Sequence, residues 1–140
     1  MYSWKYLEEH DISIPKQGGN LDSKANDQKF GLEDYVRLSF CDDHPMMWRL
    51  KCAGYNLVLL KIKVDVAWAK DTLFSDINAT ARYHRHGDDI ETFNSIDFNA
   101  VKQHYLNKSS AMFGPHQAEV MVKTCIPLEY ILNIDNPIIR

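Results

Sequence analysis

Ten residues near the end of the chain, QAEVMVKTCI (117–126), alternate in a way that only an extended strand can use. Ala118, Val120 and Val122 point one way, and Gln117, Glu119, Met121 and Lys123 point the other. Pro127 stops the run. The strand carries one carboxylate, Glu119, among apolar neighbours. A buried, unpaired carboxylate is expensive, so such a residue is paired, lies on a wet face, or is employed. Taken alone, these residues favour the wet face, beside Lys123.

The same alternation marks two other strands. DYVRLSF (34–40) sets Tyr35, Arg37 and Ser39 against Val36, Leu38 and Phe40, and YNLVLLKIKVDVAW (55–68) is the strongest strand signal in the chain. Helices are expected over 2–10, after Pro45 to near Gly54, and over 97–106 with Asp97 as N-cap. Residues 16–31, KQGGNLDSKANDQKFG, are polar and glycine-bearing and predict a mobile loop. Residues 71–90 predict an irregular segment, and LEYILNI a turn or a further short strand. Strands mixed with short helices, without regular βα alternation, give an α+β fold with antiparallel or mixed sheets.

Composition sets limits. A chain of 140 residues, 45% hydrophobic and 25% charged, makes one domain (1–140) with a real core. A net charge of −3 and a pI near 6.0 argue against a surface that binds nucleic acid everywhere, though a local basic patch suffices for a short single strand. The longest apolar run is shorter than a membrane span, and MYSWKYLEEHDISIPK lacks the apolar core of a signal peptide. Three widely spaced cysteines, Cys41, Cys52 and Cys125, suit reduced thiols in the cytoplasm.

Several polar groups need weighing. CDDH (41–44) has half of a zinc spacing and no second pair, so a turn with Asp42 or Asp43 capping the next helix is preferred. RYHRHGDD (82–89) reads first as a solvated loop, with an arginine contact to an anion as the alternative. QGGN is neither of the glycine-rich phosphate signatures, and no elbow motif anchors a nucleophile.

The segments DYVRLSFCDDHPMMW, LLKIKVDV, LFSDINATARY and HQAEVMVKTCIPLEYILNI, taken in order over about residues 30–134, resemble the DarT-type DNA ADP-ribosyltransferases. These are bacterial toxins usually encoded beside a macrodomain antitoxin. The resemblance implies small antiparallel sheets around a cleft that holds NAD, no metal, and transfer of ADP-ribose onto a base of single-stranded DNA. A non-catalytic remnant that keeps the fold and binds nucleic acid or a protein partner is the alternative.

In this family the position of Glu119 is the catalytic glutamate. The strand and its proline–methionine turn imply Phe40, His44 and Met46 as contacts to NAD. SDINATARY implies Asn78 and Arg82 as contacts to the DNA, with Asn78 equally readable as a turn residue. His116 and Gln117 lie where the family presents the target base. The family also uses an arginine from the segment before the DYV strand, where this sequence has none between 16 and 33; Lys24 is the nearest positional match. Family members begin with a strand and helix bearing a histidine that grips NAD, and this sequence starts about where that unit ends.

Overall fold

The computed structural model describes residues 1–14, 21–104 and 106–140. The first half contains α1 (Trp4–Glu9), α2 (Leu21–Phe30), β1 (Tyr35–Ser39), α3 (Pro45–Cys52) and β2 (Val58–Leu59). The second half contains β3 (Leu73–Ser75), β4 (His86–Gly87), α4 (Ile90–Asn94), α5 (Phe98–Val101), β5 (Glu119–Lys123) and β6 (Ile138–Ile139). One sheet has the order β1-β5-β3-β4 and the other pairs β2 with β6; all pairings are antiparallel.

The alternating segment that opened the sequence reading becomes β5, the inner strand between β1 and β3. Its two faces are both covered. Val120 and Val122 pack with Val36, Phe74, Ile96, Val101 and Ile126, while Met121 packs on the other side with Leu32 and Ala79. The wet face expected for Glu119 is therefore a second interior surface, and Glu119 is only 5% exposed. β5 ends at Thr124, whose φ of +60° breaks the extended path. Asp34 holds that break: its backbone oxygen accepts from Thr124 N (2.6 Å) and its carboxylate accepts from Thr124 Oγ1 (2.8 Å). The same carboxylate accepts from Ser3 Oγ (2.8 Å), and Ser3 caps α1 by accepting from Tyr6 N (3.1 Å). One aspartate thus ties α1 to the ends of β1 and β5.

The structure corrects three expectations. Within the loop expected over 16–31, residues 21–30 form helix α2; residues 15–20 lie outside the described residues. The helix escaped notice because its buried residue is a carboxylate, Asp27, so no apolar stripe repeats along it. The long strand expected over 55–68 shrinks to Val58–Leu59, with an isolated bridge at Ile62 and a 3₁₀ turn over Val64–Trp68. The Asn133 side chain takes the place of ladder partners, accepting from Lys61 N (2.7 Å) and donating to Leu59 O (3.0 Å). With little packed against it, Val58 remains 56% and Trp68 84% exposed. The irregular stretch over 71–90 supplies two sheet strands, β3 and β4. Asp97 caps α5 as expected, accepting from Asn99 N and Ala100 N, although the helix closes at Val101.

Met121 fills the joint between β5, α2's following turn and the Ala79 loop without any exposure. Met121→Ala is expected to lower unfolding free energy by about 2–5 kcal/mol in urea titrations, the range for a truncated buried methionine. A loss below about 1 kcal/mol would show that this second face carries no core.

Candidate active site

Antiparallel pairing of β1 with β5 sets Arg37 opposite Met121 and Ser39 opposite Glu119. Arg37 and Glu119 are therefore diagonal neighbours on one face, within reach of a long side chain. Arg37 Nη1 donates to Glu119 Oε2 at 3.3 Å. The same oxygen accepts the backbone N–H of Ala79 at 2.9 Å. From α2, Asp27 Oδ1 accepts from Arg37 Nη2, and Asp27 Oδ2 accepts from Trp4 Nε1 at 3.1 Å. A continuous chain of polar contacts, Trp4–Asp27–Arg37–Glu119, thus runs from α1 through α2 and β1 to β5.

Local sequence explains the Ala79 donor. Asn78 Oδ1 accepts from both Thr80 N (2.9 Å) and Thr80 Oγ1 (2.5 Å), an asparagine-centred turn that faces the intervening amide toward Glu119. Burial pushes the Glu119 carboxyl above its ordinary range, against the opposing pull of Arg37 and the Ala79 N–H. Asp27 is raised for the same reason, again opposed by Arg37 and by the Trp4 hydrogen bond. One guanidinium serves two buried carboxylates, and the charge of Asp27 adds to the upward push on Glu119.

This trio opens onto a cleft of ≈ 1230 Å³. Arg37, Asp27 and Glu119 line it from the sheet side, and His44, Met46 and Trp48 line it from α3. His44 caps α3, its Nδ1 accepting from Met46 N at 3.2 Å. A ring that accepts at Nδ1 carries its proton on Nε2 when neutral. Burial, then the nearby His116, push the His44 pKa down to about 4, so the ring is neutral at physiological pH. Its Nε2–H is buried and meets no acceptor among the described residues. His44, a lining residue of the cleft, thus keeps one unsatisfied buried donor.

Of the residues anticipated from sequence, Glu119, His44, Met46, Asn78, His116 and Gln117 all line this cleft. Gln117 is held by donating to Phe113 O at 2.9 Å. Phe40 packs instead into the core, edge-on to Phe98 with ring centroids 5.5 Å apart. Arg82 is exposed and stacks over Tyr83 at 5.5 Å, away from the cleft lining. Lys24 pairs with Glu8 Oε1 at 2.5 Å and sits 4.7 Å over the Trp4 ring, so it does not reach Glu119. His44, rather than Asp42 or Asp43, caps the helix after the turn. Sequence reasoning missed Arg37, Asp27, Trp4 and the Ala79 amide. The available signal for Arg37 was its shared parity with Glu119: the two strands turn these opposite charges toward the same face.

Comparisons with known proteins bear on the fold and the family. The sequence matches the family described as "ssDNA thymidine ADP-ribosyltransferase, DarT" over residues 8–136. No curated protein matches it. Among solved structures, Thermosipho africanus DarTG in complex with ADP-ribose superposes with a TM-score of 0.72 at 19% identity, covering 93% of this chain and 37% of that one. Thermus sp. 2.9 DarT in complex with ADP-ribosylated ssDNA gives a TM-score of 0.68 at 18% identity, covering 94% of this chain and 69% of that one. The same Thermus protein in complex with carba-NAD+ gives 0.61 at 19% identity, covering 71% of this chain and 56% of that one. This chain thus spans about half of the Thermus chain in the carba-NAD+ complex and about a third of the DarTG chain. At these identities the structures establish a shared fold, and the family match goes further, since it takes in nearly the whole sequence. The chain belongs to the DarT family of single-stranded-DNA thymidine ADP-ribosyltransferases.

Proposed function

We propose that this chain transfers ADP-ribose from NAD onto a thymidine base of single-stranded DNA, with Glu119 as the catalytic carboxylate. The observation that carries the reading is a buried glutamate at the head of the central strand, clamped by Arg37 and opening onto a large cleft. The family description supplies the nucleotide and the strandedness. The Thermus complexes with carba-NAD+ and with ADP-ribosylated ssDNA, and the Thermosipho complex with ADP-ribose, support the two substrates.

The chemistry fits the geometry. The bond between nicotinamide and ribose breaks with its electron pair leaving on nicotinamide, and positive charge builds on the ribose ring. That charge resembles the oxocarbenium-like transition state of glycoside cleavage. A carboxylate fixed beside the ring stabilises it without reorganising. The thymidine base then bonds to the anomeric carbon, and its displaced proton passes to Glu119 or solvent. Arg37 orients Glu119 and opposes the effect of burial on its ionisation. The planar fork of Arg37 reaches Glu119 and Asp27 at once, which a lysine could not do. In this reading Arg37 supplies the cation that the family takes from the preceding segment, and Lys24 steadies α2 through Glu8 and Trp4.

The unused His44 Nε2–H donates to an acceptor of NAD, and Met46 packs against the same ligand. Asn78 shapes the loop behind Glu119, while Gln117 and the exposed Arg82–Tyr83 pair offer amide and stacking contacts to the single strand. We extend the reading to a toxin acting in the bacterial cytoplasm under a macrodomain antitoxin. The family resemblance and the paired name of the Thermosipho protein support this. No helix among the described residues is long and apolar enough to cross a membrane.

The direct test incubates the protein with NAD and thymidine-containing single-stranded oligonucleotides and reads a mass gain of one ADP-ribose. Glu119→Gln is expected to lower the rate by about 10²–10³ while circular dichroism stays unchanged. Full activity in that variant refutes the assignment, and no transfer by the parent chain points to a non-catalytic remnant. Arg37→Lys, which keeps charge but loses the fork, is expected to reduce transfer by about 10–10². Unaltered kinetics would remove Arg37 from the machinery.

Stability gives an assay free of substrate. Folded Glu119 holds its proton more tightly than its ordinary 4.5. As pH rises past that value, the unfolded chain ionises first and folding loses stability, until the folded group ionises as well. Glu119→Gln abolishes this titration, so the variant gains stability relative to the parent through that window and the gain then levels off. Chemical denaturation between pH 4 and 8 reads the difference. A relative loss with rising pH would show that the Arg37 contact outweighs burial.

A further inference from the structure

Beside the Glu119 centre, three side chains from two distant parts of the sequence turn their ligand atoms toward one point. His116, in the 3₁₀ turn that leads into β5, is 2% exposed. Its Nδ1 lies 3.1 Å from Ala100 O, where it can only donate. A neutral ring then presents a bare Nε2 lone pair. That nitrogen faces Cys41 Sγ at 3.7 Å and Asp43 Oδ1 at 3.5 Å. Asp43 Oδ1 is buried and accepts no hydrogen bond, and the three ligand atoms all lie within 4.8 Å of one another.

Two familiar arrangements fail here. In a cysteine–histidine–aspartate triad the carboxylate holds the imidazole nitrogen that does not face the thiol. Here thiol and carboxylate crowd the same nitrogen, and a backbone carbonyl holds the other. A single thiol proton given to His116 Nε2 leaves Asp43 Oδ1 bare, and given to Asp43 it leaves the Nε2 lone pair bare. A cation satisfies all three at once. Tetrahedral bonds of about 2.0–2.3 Å set neighbouring ligand atoms roughly 3.3–3.6 Å apart, close to the 3.7 and 3.5 Å from His116 Nε2 to Cys41 and Asp43.

Outer contacts have the matching form. The Ala100 carbonyl fixes the His116 tautomer, His104 Nδ1 lies 3.1 Å from Asp43 Oδ2, and Ser39 Oγ lies 3.2 Å from Cys41 Sγ.

We propose that Cys41, Asp43 and His116 form a binding site for a divalent transition-metal ion of the zinc type, with a fourth position open to the cleft. The half-spacing visible in CDDH finds its missing partner 75 residues away in sequence. His44 takes no part, since its Nδ1 caps α3. Binding breaks the Cys41 S–H bond. The electron pair stays on sulfur and bonds the metal, and the proton goes to buffer. The ion joins the segment after β1 to the turn before Glu119. Neither the site nor its test depends on the transferase reading, whose chemistry needs no metal.

The full chain, free of affinity tags and stripped with chelator, is titrated with Co²⁺ and then with Zn²⁺. One equivalent of Co²⁺ is expected to give a thiolate-to-metal charge-transfer band and four-coordinate visible bands, to release one proton, and to yield to Zn²⁺. Cys41→Ser loses the charge-transfer band, and Asp43→Asn weakens affinity by at least about tenfold, the low end for disturbing even an outer partner. Cys52→Ser, Cys125→Ser and Asp42→Asn keep the band; the last tests the nearby Asp42–Asp43–His104 group. Folding of each variant is checked by circular dichroism. A folded parent without the band overturns the proposal, as does a band that survives in Cys41→Ser.

Discussion

Arg37 is the one cation that two buried carboxylates share. Asp27 comes from α2 and Glu119 from β5, and neither has another cationic partner close enough to form an ion pair among the described residues. Taking a carboxylate out of water costs several kcal/mol unless charge and hydrogen bonds replace the lost solvent. Here the guanidinium fork, the Ala79 amide and the Trp4 indole supply that replacement. The arrangement also fixes three elements relative to one another, because the fork binds both acids in one plane. The site and the packing of α2 against the sheet therefore rest on the same contact.

That dependence explains which parts of the fold could be read from sequence. β1 and β5 were legible because their alternation matches real burial: Val36, Val120 and Val122 all point into one core. The α3 helix and the Asp97 cap were legible because proline placement and capping are local chemistry. α2 was not, since the side it buries against the protein is held by polar contacts of Asp27 and by the Lys24–Glu8 pair. Hydrophobic periodicity is silent about a helix docked through charge. The segment 55–68 failed in the opposite sense. Its alternation is strong, yet only Val58 and Leu59 pair as a strand and Ile62 as an isolated bridge, with the Asn133 side chain bonding Leu59 O and Lys61 N between them.

The site divides along the same line. Glu119 was visible as a carboxylate in an apolar strand, and the family resemblance gave it a role. His44 and Met46 at the start of α3, and Asn78, His116 and Gln117 in the turns after β3 and before β5, reached the cleft because they flank the sheet strands. Arg37 was visible only as a member of the Tyr35, Arg37 and Ser39 face of an alternating strand. Only the register with β5, which no single-strand pattern reveals, turns it toward Glu119. Lys24 matched the expected position in sequence, but one turn later on the same helix Asp27 makes the contact with the sheet.

Both centres converge on the short path from His116 to Glu119. The 3₁₀ turn Pro115–Gln117 leads directly into β5, so the backbone that positions the His116 ring also sets where the Glu119 carboxylate begins. The Ala100 carbonyl anchors one end of this path and the Arg37–Ala79 pair anchors the other. Between these anchors, Ala118 has no exposure and packs in the core with Val36, Val120 and Val122, so a larger side chain there strains the strand's approach. Catalytic geometry near 0.5 Å tolerance needs such a rigid approach. A change at residues 115–118 therefore acts on Glu119 even where it touches no ligand, because the strand transmits the displacement and the clamp cannot follow it.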